Sequence, residues 1–378
     1  MVYRNFDGID ASLLGFGCMR FPTNADGGID EAEATRMLDK ARAAGVNYFD
    51  TAYPYHGGES EPFVGRYLSK LPRDSYYVAT KLPCWDVHSL DDAKKLFERQ
   101  IERTASGYID FYLLHALNRG RFEEMDGYGV YDYLTEMKKQ GRIKHLGFSF
   151  HDDYDAFEFI AKSKKWDFCQ IQLNYMDTDE QAGMKGYELT KELGIPLIIM
   201  EPIKGGSLAT LPDEVTEGLR RLRPESSVAS WALRWVGSLD NVKVILSGMS
   251  TMAQVEDNLG TFAEFEPLSA EEQTAVTELA ASIRKRIYNG CTGCRYCMPC
   301  PAGVDIPHNF RIWNDFGMYR NKGDVHWNWT QNTDEGSKAK NCIECGQCEE
   351  ACPQKLNIRE NLKALQKQFD EIVSELTS

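Results

Sequence analysis

The sequence predicts an α/β protein: a (β/α)8 barrel of the TIM type followed by a smaller, mainly helical, cysteine-rich domain. Three observations carry this expectation. Short apolar runs alternate with helical patterns from about residue 10 to 260, the order that builds right-handed βαβ units and a parallel sheet. The stretch FEPLSAEEQ then breaks the alternation near residue 266, with Pro267 followed by Ser269 and Glu272 in capping-box spacing. Beyond it stand most of the chain's 11 cysteines, in two tight runs.

The elements follow in order. VYRNFDGIDASLL reads as a hairpin with Asp7-Gly8 as its turn. The strand candidates are LLGFGCM, NYFDTA, YYVATKL, DFYLLHA, HLGFSF, FCQIQLNY, PLIIMEP and VKVILSGM. Helical stretches 31–44, 59–70, 89–106, 128–140, 153–163, 180–193, 226–237 and 252–260 lie between and after them. Eight such units in about 250 residues match the size and count of a barrel. A doubly wound open sheet would need a G-x-G-x-x-G turn after the first strand, and GFGCMRFP offers neither the third glycine nor a helix start. The domains are therefore read as 1–266 and 267–378, the second opening on a helix over about 270–288.

In the second domain, the stretch 301–341 between the cysteine runs holds Trp313, Phe316, Tyr319, Trp327 and Trp329. It is long for a compact two-cluster ferredoxin and suggests inserted helices. After Pro353, residues Ile358, Leu362, Leu365, Phe369, Ile372 and Leu376 recur at spacings of three and four. This is the stripe of an amphipathic helix that packs on the rest of the protein.

Composition is that of a globular protein, 42% hydrophobic and 26% charged. The formal charge of −14, with no basic stripe to offset it, argues against a nucleic-acid partner. No apolar run has membrane-spanning length, and MVYRNFDGID lacks signal-peptide architecture, so a cytoplasmic protein without a membrane partner is expected.

The cysteine runs carry the most specific chemistry. Cys291, Cys294, Cys297 and Cys300 stand in CTGCRYCMPCP; Cys342, Cys345, Cys348 and Cys352 stand in CIECGQCEEACP. The second matches the bacterial ferredoxin run C-x2-C-x2-C-x3-C-P, in which three thiolates hold one cluster and the fourth holds the other. The first is one residue shorter before its last cysteine. Together they supply thiolates for two 4Fe–4S clusters. The crossed pattern of two-cluster ferredoxins assigns Cys291, Cys294, Cys297 and Cys352 to one, and Cys342, Cys345, Cys348 and Cys300 to the other. Structural zinc and a disulfide framework are the alternatives. Zinc wants four ligands rather than three at tight spacing plus a Cys-Pro, and disulfide frameworks belong to short secreted chains. Cys18, Cys84 and Cys169 lie in or beside strands and read as small buried hydrophobes.

In barrels of this kind, reacting groups come from the C-terminal ends of strands and the loops that follow. The second strand ends at Asp50, with Tyr55 after it; the third ends at Lys81 and the fourth at His115. Each has a bland alternative: a buried ion pair, a loop aromatic, a core histidine. Together they form an acid–base constellation. FDTAYPYHGGESE, VATKL and DFYLLH resemble the aldo-keto reductase family over the whole barrel, and the family's Asp, Tyr, Lys and His tetrad falls on Asp50, Tyr55, Lys81 and His115. A phenol titrates at about 10 in water. The Lys81 ammonium beside it is expected to lower that value and ease proton donation to a carbonyl oxygen. Asp50 would keep Lys81 placed and charged, and His115 would orient the carbonyl.

The resemblance also implies a nicotinamide site, NADP or NAD. It sets Ser149 and Gln172 against the carboxamide, with Asn174 nearby. Pro202 to Ser207, including Gly205 and Gly206, and the stretch Gly248 to Ser250 fall around the pyrophosphate and ribose, and Asp257 and Asn258 near the adenine. Two departures stand out. Gln254 replaces an arginine that in many relatives grips the 2′-phosphate, and it offers no charge-assisted clamp. Met200 occupies the place of an aromatic ring that stacks on the nicotinamide; methionine is adaptable enough to take another flat ring, such as flavin. Trp85 and His88 are placed at the substrate mouth.

A nicotinamide moves two electrons and each cluster one, which leaves three readings. The protein is a carbonyl reductase stapled by its clusters. It is a flavin- or ferredoxin-linked reductase wired by them. Or it is an electron-transfer module with a relic tetrad. The intact tetrad favours the first over the third. Barrel and cysteine runs together resemble the ferredoxin-fused branch of the family.

Overall fold

The computed structural model describes residues 1–377. A hairpin of β1 (Tyr3–Phe6) and β2 (Ile9–Ser12) precedes eight strands: β3 (Leu14–Gly17), β4 (Tyr48–Asp50), β5 (Tyr77–Leu82), β6 (Ile109–Leu117), β7 (Ile143–Phe150), β8 (Phe168–Gln172), β9 (Leu197–Met200) and β10 (Val242–Gly248). They close into a parallel barrel in the order β10-β3-β4-β5-β6-β7-β8-β9. The helices between and after them are α1 (Glu31–Ala43), α2 (Ser60–Leu68), α3 (Leu90–Thr104), α4 (Arg119–Gly127), α5 (Val130–Lys139), α6 (Tyr154–Ser163), α7 (Gly183–Leu193), α8 (Asp213–Leu222), α9 (Val228–Gly237) and α10 (Met252–Ala263). After these come α11 (Ala270–Arg284), α12 (Ile306–Tyr319), α13 (Lys322–Thr330), α14 (Gln347–Ala351) and α15 (Ile358–Thr377).

All eight predicted strands form; β6 and β7 extend beyond their predicted runs, and the other six are shorter. The eight-residue run FCQIQLNY stops as a strand at Gln172 because Asn174 turns the chain: its Oδ1 accepts the backbone N–H groups of Met176 and Asp177, each at 3.0 Å. Three helices escaped the sequence reading, the five-residue α14 inside the second cysteine run among them. In α4 only Phe122 and Met125 are buried, too few for a visible period. In α8 the buried residues are Thr216 and Leu219.

The hairpin turn has φ of 46° at Asp7 and 88° at Gly8, the double positive φ of a turn whose twist suits a hairpin. It places Phe6 across the N-terminal end of the barrel, 4.9 Å from the Phe111 ring and 5.8 Å from Phe168. Tyr48, Ala79, Phe111, Leu113, Ile198 and Val244 fill the interior above it. Polar side chains at the opposite end thus stand on an apolar floor. Gly147 permits the close approach of β7 to β8, since a Cβ there would lie 2.6 Å from the Phe168 carbonyl oxygen.

The chain forms two compact units, Met1–Gly205 with Ala229–Gln273 and Gly206–Val228 with Thr274–Ser378. In the second, α12 and α13 are the helices expected between the cysteine runs. Its core joins Phe310, Trp313, Phe316, Trp329, Leu365 and Phe369, with Trp313 stacked on Tyr288 at 4.5 Å. The α15 stripe is buried through Ile372, whereas Leu376, its expected last member, is 49% exposed in the final turn. Among the described residues no helix is long and apolar enough to cross a membrane.

Candidate active site

The C-terminal ends of β4, β5 and β6 bring Asp50, Lys81 and His115 together, and the turn after β4 adds Tyr55. Lys81 is 1% exposed. Its Nζ donates to Asp50 Oδ1 at 2.6 Å and to the Thr51 carbonyl at 2.8 Å, and stands 3.4 Å from the Tyr55 hydroxyl. The Tyr55 and His115 rings meet edge-on at 6.1 Å. Burial disfavours the Lys81 ammonium, but Asp50 and Tyr55 outweigh it and hold Lys81 charged.

The expected lowering of the Tyr55 phenol is not what the site produces. Burial pushes it up, and this exceeds the downward pull of Lys81, whose charge is already matched by Asp50. Tyr55 is therefore an acid that stays protonated. His115 is 9% exposed with Nδ1 unpartnered. Burial, then the charges of Lys81, His151 and Arg121, bring it down to about 2. It is a neutral imidazole at any ordinary pH.

β6 bulges directly after His115. Ala116 takes φ of 51°, a strained value for a residue with a Cβ. Its N–H donates to Ser149 Oγ at 2.8 Å, and its carbonyl accepts Arg121 Nη1 at 2.8 Å. Trp85 lies 5.0 Å from the His115 ring and is 37% exposed. His88 is exposed, and its own N–H donates to Asp92 Oδ2 at 3.2 Å.

The other predicted positions divide. Ser149 sits in register with Gln170 on β8. Gln170, missed in the sequence, is 2% exposed with Oε1 unpartnered. Gln172 instead donates to Asp177 Oδ2 at 2.9 Å and accepts from Gln181. Asn174 also donates to Asp177 at 2.9 Å, and both Asp177 oxygens take Lys204 Nζ, at 2.7 and 2.8 Å. The side-chain amides of Gln172 and Asn174 are thus already engaged. Only the alternation of β8 could have pointed to Gln170, two residues earlier on the same face. Met200 is in register with Gln172 at the rim; Pro202 is buried.

Gly205 has φ of 63° and Gly206 of 107°. Ser207, in the second unit, donates to Asp324 at 3.0 Å. Arg20, also missed, has its stem on Gly248, where a Cβ would lie 2.8 Å from Arg20 Cγ, and a guanidinium nitrogen 4.0 Å from the corresponding point on Gly205. Its carbonyl accepts the Ser250 hydroxyl at 2.7 Å. Gln254 closes a capping box with Thr251, its Oε1 accepting the Ser250 N–H at 2.7 Å. Asn258 is 5% exposed and donates to Ser247 Oγ at 2.8 Å, with Asp257 half-buried beside it.

In the second unit the cysteines ring two cavities. Cys291, Cys294, Cys297 and Cys352 line one, with Phe310 and Ile358. Cys300, Cys342, Cys345 and Cys348 line the other, with Cys297 in the shared wall. Among the described residues no three His, Cys, Asp or Glu side chains converge as ligands of a single ion. Burial pushes the Cys297 thiol up, and Cys291, Cys294 and Cys352 add to it; burial pushes Cys348 up to about 11. Eight crowded thiols fit a group that brings positive charge to stabilise them as thiolates. Cys18, Cys84 and Cys169 are buried, as expected of small hydrophobes, and burial raises their thiols.

The profile of the Aldo/keto reductase family matches residues 13–281, and that of a 4Fe-4S dicluster domain matches residues 290–356. The chain is 25% identical over 288 residues to L-galactose dehydrogenase of Arabidopsis thaliana, covering 71% of this chain and 89% of that one. It is 23% identical over 303 residues to NADH-specific methylglyoxal reductase of Escherichia coli, covering 69% and 91%. Among solved structures, aldo-keto reductase AKR11C1 from Bacillus halodurans (holo form) superposes with a TM-score of 0.61 at 26% identity, covering 74% of this chain and 96% of that one. The closed barrel, the strand-end residues and the match across most of the chain agree: this oxidoreductase belongs to the aldo/keto reductase family and carries a C-terminal 4Fe-4S domain.

Proposed function

We propose that the barrel reduces a small-molecule aldehyde or ketone to an alcohol with a reduced nicotinamide dinucleotide, while the domain after residue 266 holds two 4Fe–4S clusters. The observation that carries the reduction is Lys81, a lysine 1% exposed, charged, and held between Asp50 and Tyr55 beside a neutral histidine. Tyr55 donates a proton to the carbonyl oxygen, Lys81 stabilises the phenolate left behind, and His115 offers a neutral hydrogen bond to the same oxygen. A nicotinamide bound there would supply the hydride, one proton with two electrons, to the carbonyl carbon. Solvent then returns the proton to Tyr55. Ser149 and Gln170 face the carboxamide, and Arg20 with Gly205 and Gly248 takes the pyrophosphate.

The amide of Gln254 is held in the α10 cap, so a 2′-phosphate would gain no cation there. The relative named NADH-specific shows that family members with that preference exist. NADH is accordingly expected to match or exceed NADPH in kcat/KM; a preference of about tenfold for NADPH, near 1.4 kcal/mol, would sink this assignment. Arg20→Ala should raise KM for either coenzyme by about tenfold, the loss of one charge-assisted hydrogen bond, with kcat within about twofold. The test of the reduction itself is NADH oxidation by anaerobically purified protein against a panel of aldehydes and ketones. Silence across the panel counts against it.

A second reading gives the clusters an external one-electron donor of ferredoxin type. It is favoured by Tyr296 and Ile343, 69% and 65% exposed in the wall of the cavity with Cys345. Visible spectra decide. Bleaching by reduced ferredoxin with concurrent product formation supports a wire; full NADH-dependent turnover with an unchanged cluster spectrum leaves the clusters as a staple.

A further inference from the structure

We infer that Arg121 makes this mouth selective for carbonyl substrates that also carry a carboxylate; the inference rests on the reductase reading above. Arg121 enters from the first turn of α4, whose cap Asn118 accepts its N–H at 2.8 Å. Its guanidinium donates to the carbonyl of Ala116, the residue after His115, at 2.8 Å and lies 5.7 Å from the centre of the Trp85 ring. The same indole contacts the His115 ring at 5.0 Å. Arg121 and His115 therefore share one aromatic wall, and among the described residues no carboxylate pairs with Arg121.

The permanent charges that act on His115 are those of Lys81 and Arg121, each opposing its protonation; burial holds the third neighbour, His151, below its ordinary value. Asp50 is already committed to Lys81 at 2.6 Å. Glu201 acts on His151, whose protonation it favours. An uncharged substrate gains nothing from such a field. An anionic one is drawn in by it and can place its carboxylate on a guanidinium that has donors left after its single bond to Ala116. The planar fork of arginine suits two carboxylate oxygens at once.

The substrate class is thus an oxo-acid whose carbonyl and carboxylate are separated by a few bonds. The test compares succinate semialdehyde with butanal, of equal chain length, in the full holoenzyme, and titrates succinate by calorimetry. The wild type should favour the semialdehyde by about tenfold or more in kcat/KM. Arg121→Gln should cut that advantage by about tenfold through KM and leave butanal within about twofold. Arg121→Lys, which keeps the charge, should recover part of it. Equal losses for both substrates would mean that Arg121 only supports the Ala116 bulge, and equal wild-type rates would likewise overturn the inference. If neither aldehyde is reduced, the reductase reading fails by itself. Succinate binding then decides the anion site: binding about tenfold weaker in Arg121→Gln supports it, and no binding, or equal binding, rejects it.

Discussion

Tyr55→Phe is expected to lower kcat for carbonyl reduction by about 10³-fold, within the span that general acids contribute, with KM little changed. The fold should survive. The lost hydroxyl contacts Lys81 at 3.4 Å, a long hydrogen bond worth about 1 kcal/mol or less, and Lys81 keeps Asp50 and Thr51. Asp50→Ala is a poorer test, because it strands a buried ammonium at a cost of about 3–5 kcal/mol and confounds activity with stability. The pH profile supplies the sign. Reduction needs protonated Tyr55, and burial raises that phenol above its ordinary value, so the rate should hold through neutral pH and fall only above about pH 10. His115, held down to about 2, adds no acidic limb. A limb between about pH 5 and 8 would place a titrating histidine in the step, and unchanged turnover in Tyr55→Phe would exclude the phenol as the acid.

The barrel was legible because strand and helix periods differ and because its strands are short, buried and regularly spaced. The clustering of Asp50, Tyr55, Lys81 and His115 was legible for a related reason: strand ends deliver side chains to one rim whatever lies between them in sequence. What the sequence could not convey was competition. Lys81 is as close to Tyr55 as expected, yet the pKa of the phenol rises, because desolvation and the Asp50 charge depend on packing in three dimensions. Gln172 and Gln170 share a strand face, and only the engagement of Gln172 by Asp177 and Gln181 separates them. Gln254 looked like a missing phosphate clamp and is a helix cap as well. Arg20 and Arg121 went unnoticed because an isolated arginine in a loop or an irregular helix has no period to betray it.

The eight cysteines allow the sharpest experiment, because linear and crossed ligation predict different outcomes for the same pair of substitutions. Cys352 belongs by sequence to the second run, but it lines the cavity of Cys291, Cys294 and Cys297. Cys300 belongs to the first and lines the cavity of Cys342, Cys345 and Cys348. With two intact clusters the holoprotein carries about eight irons per chain. If ligation follows the cavities, Cys291→Ser with Cys352→Ser damages one cluster twice, and about four irons remain. Cys348→Ser with Cys352→Ser damages both, and iron falls toward zero. Linear ligation reverses the two results. Iron and sulfide analysis of anaerobically reconstituted protein, with the visible absorbance as a parallel measure, reads the difference directly. The same pair separates zinc from iron–sulfur, since a zinc-holding variant would show neither sulfide nor visible absorbance. Damage to both clusters should also loosen the second unit, because the partly buried thiols pack against the Phe310, Leu365 and Phe369 core and would be left crowded without the metal charge that stabilises them as thiolates. A near-ultraviolet signal from Trp313 and Trp329 that persists after both clusters are lost would show that this core stands without them.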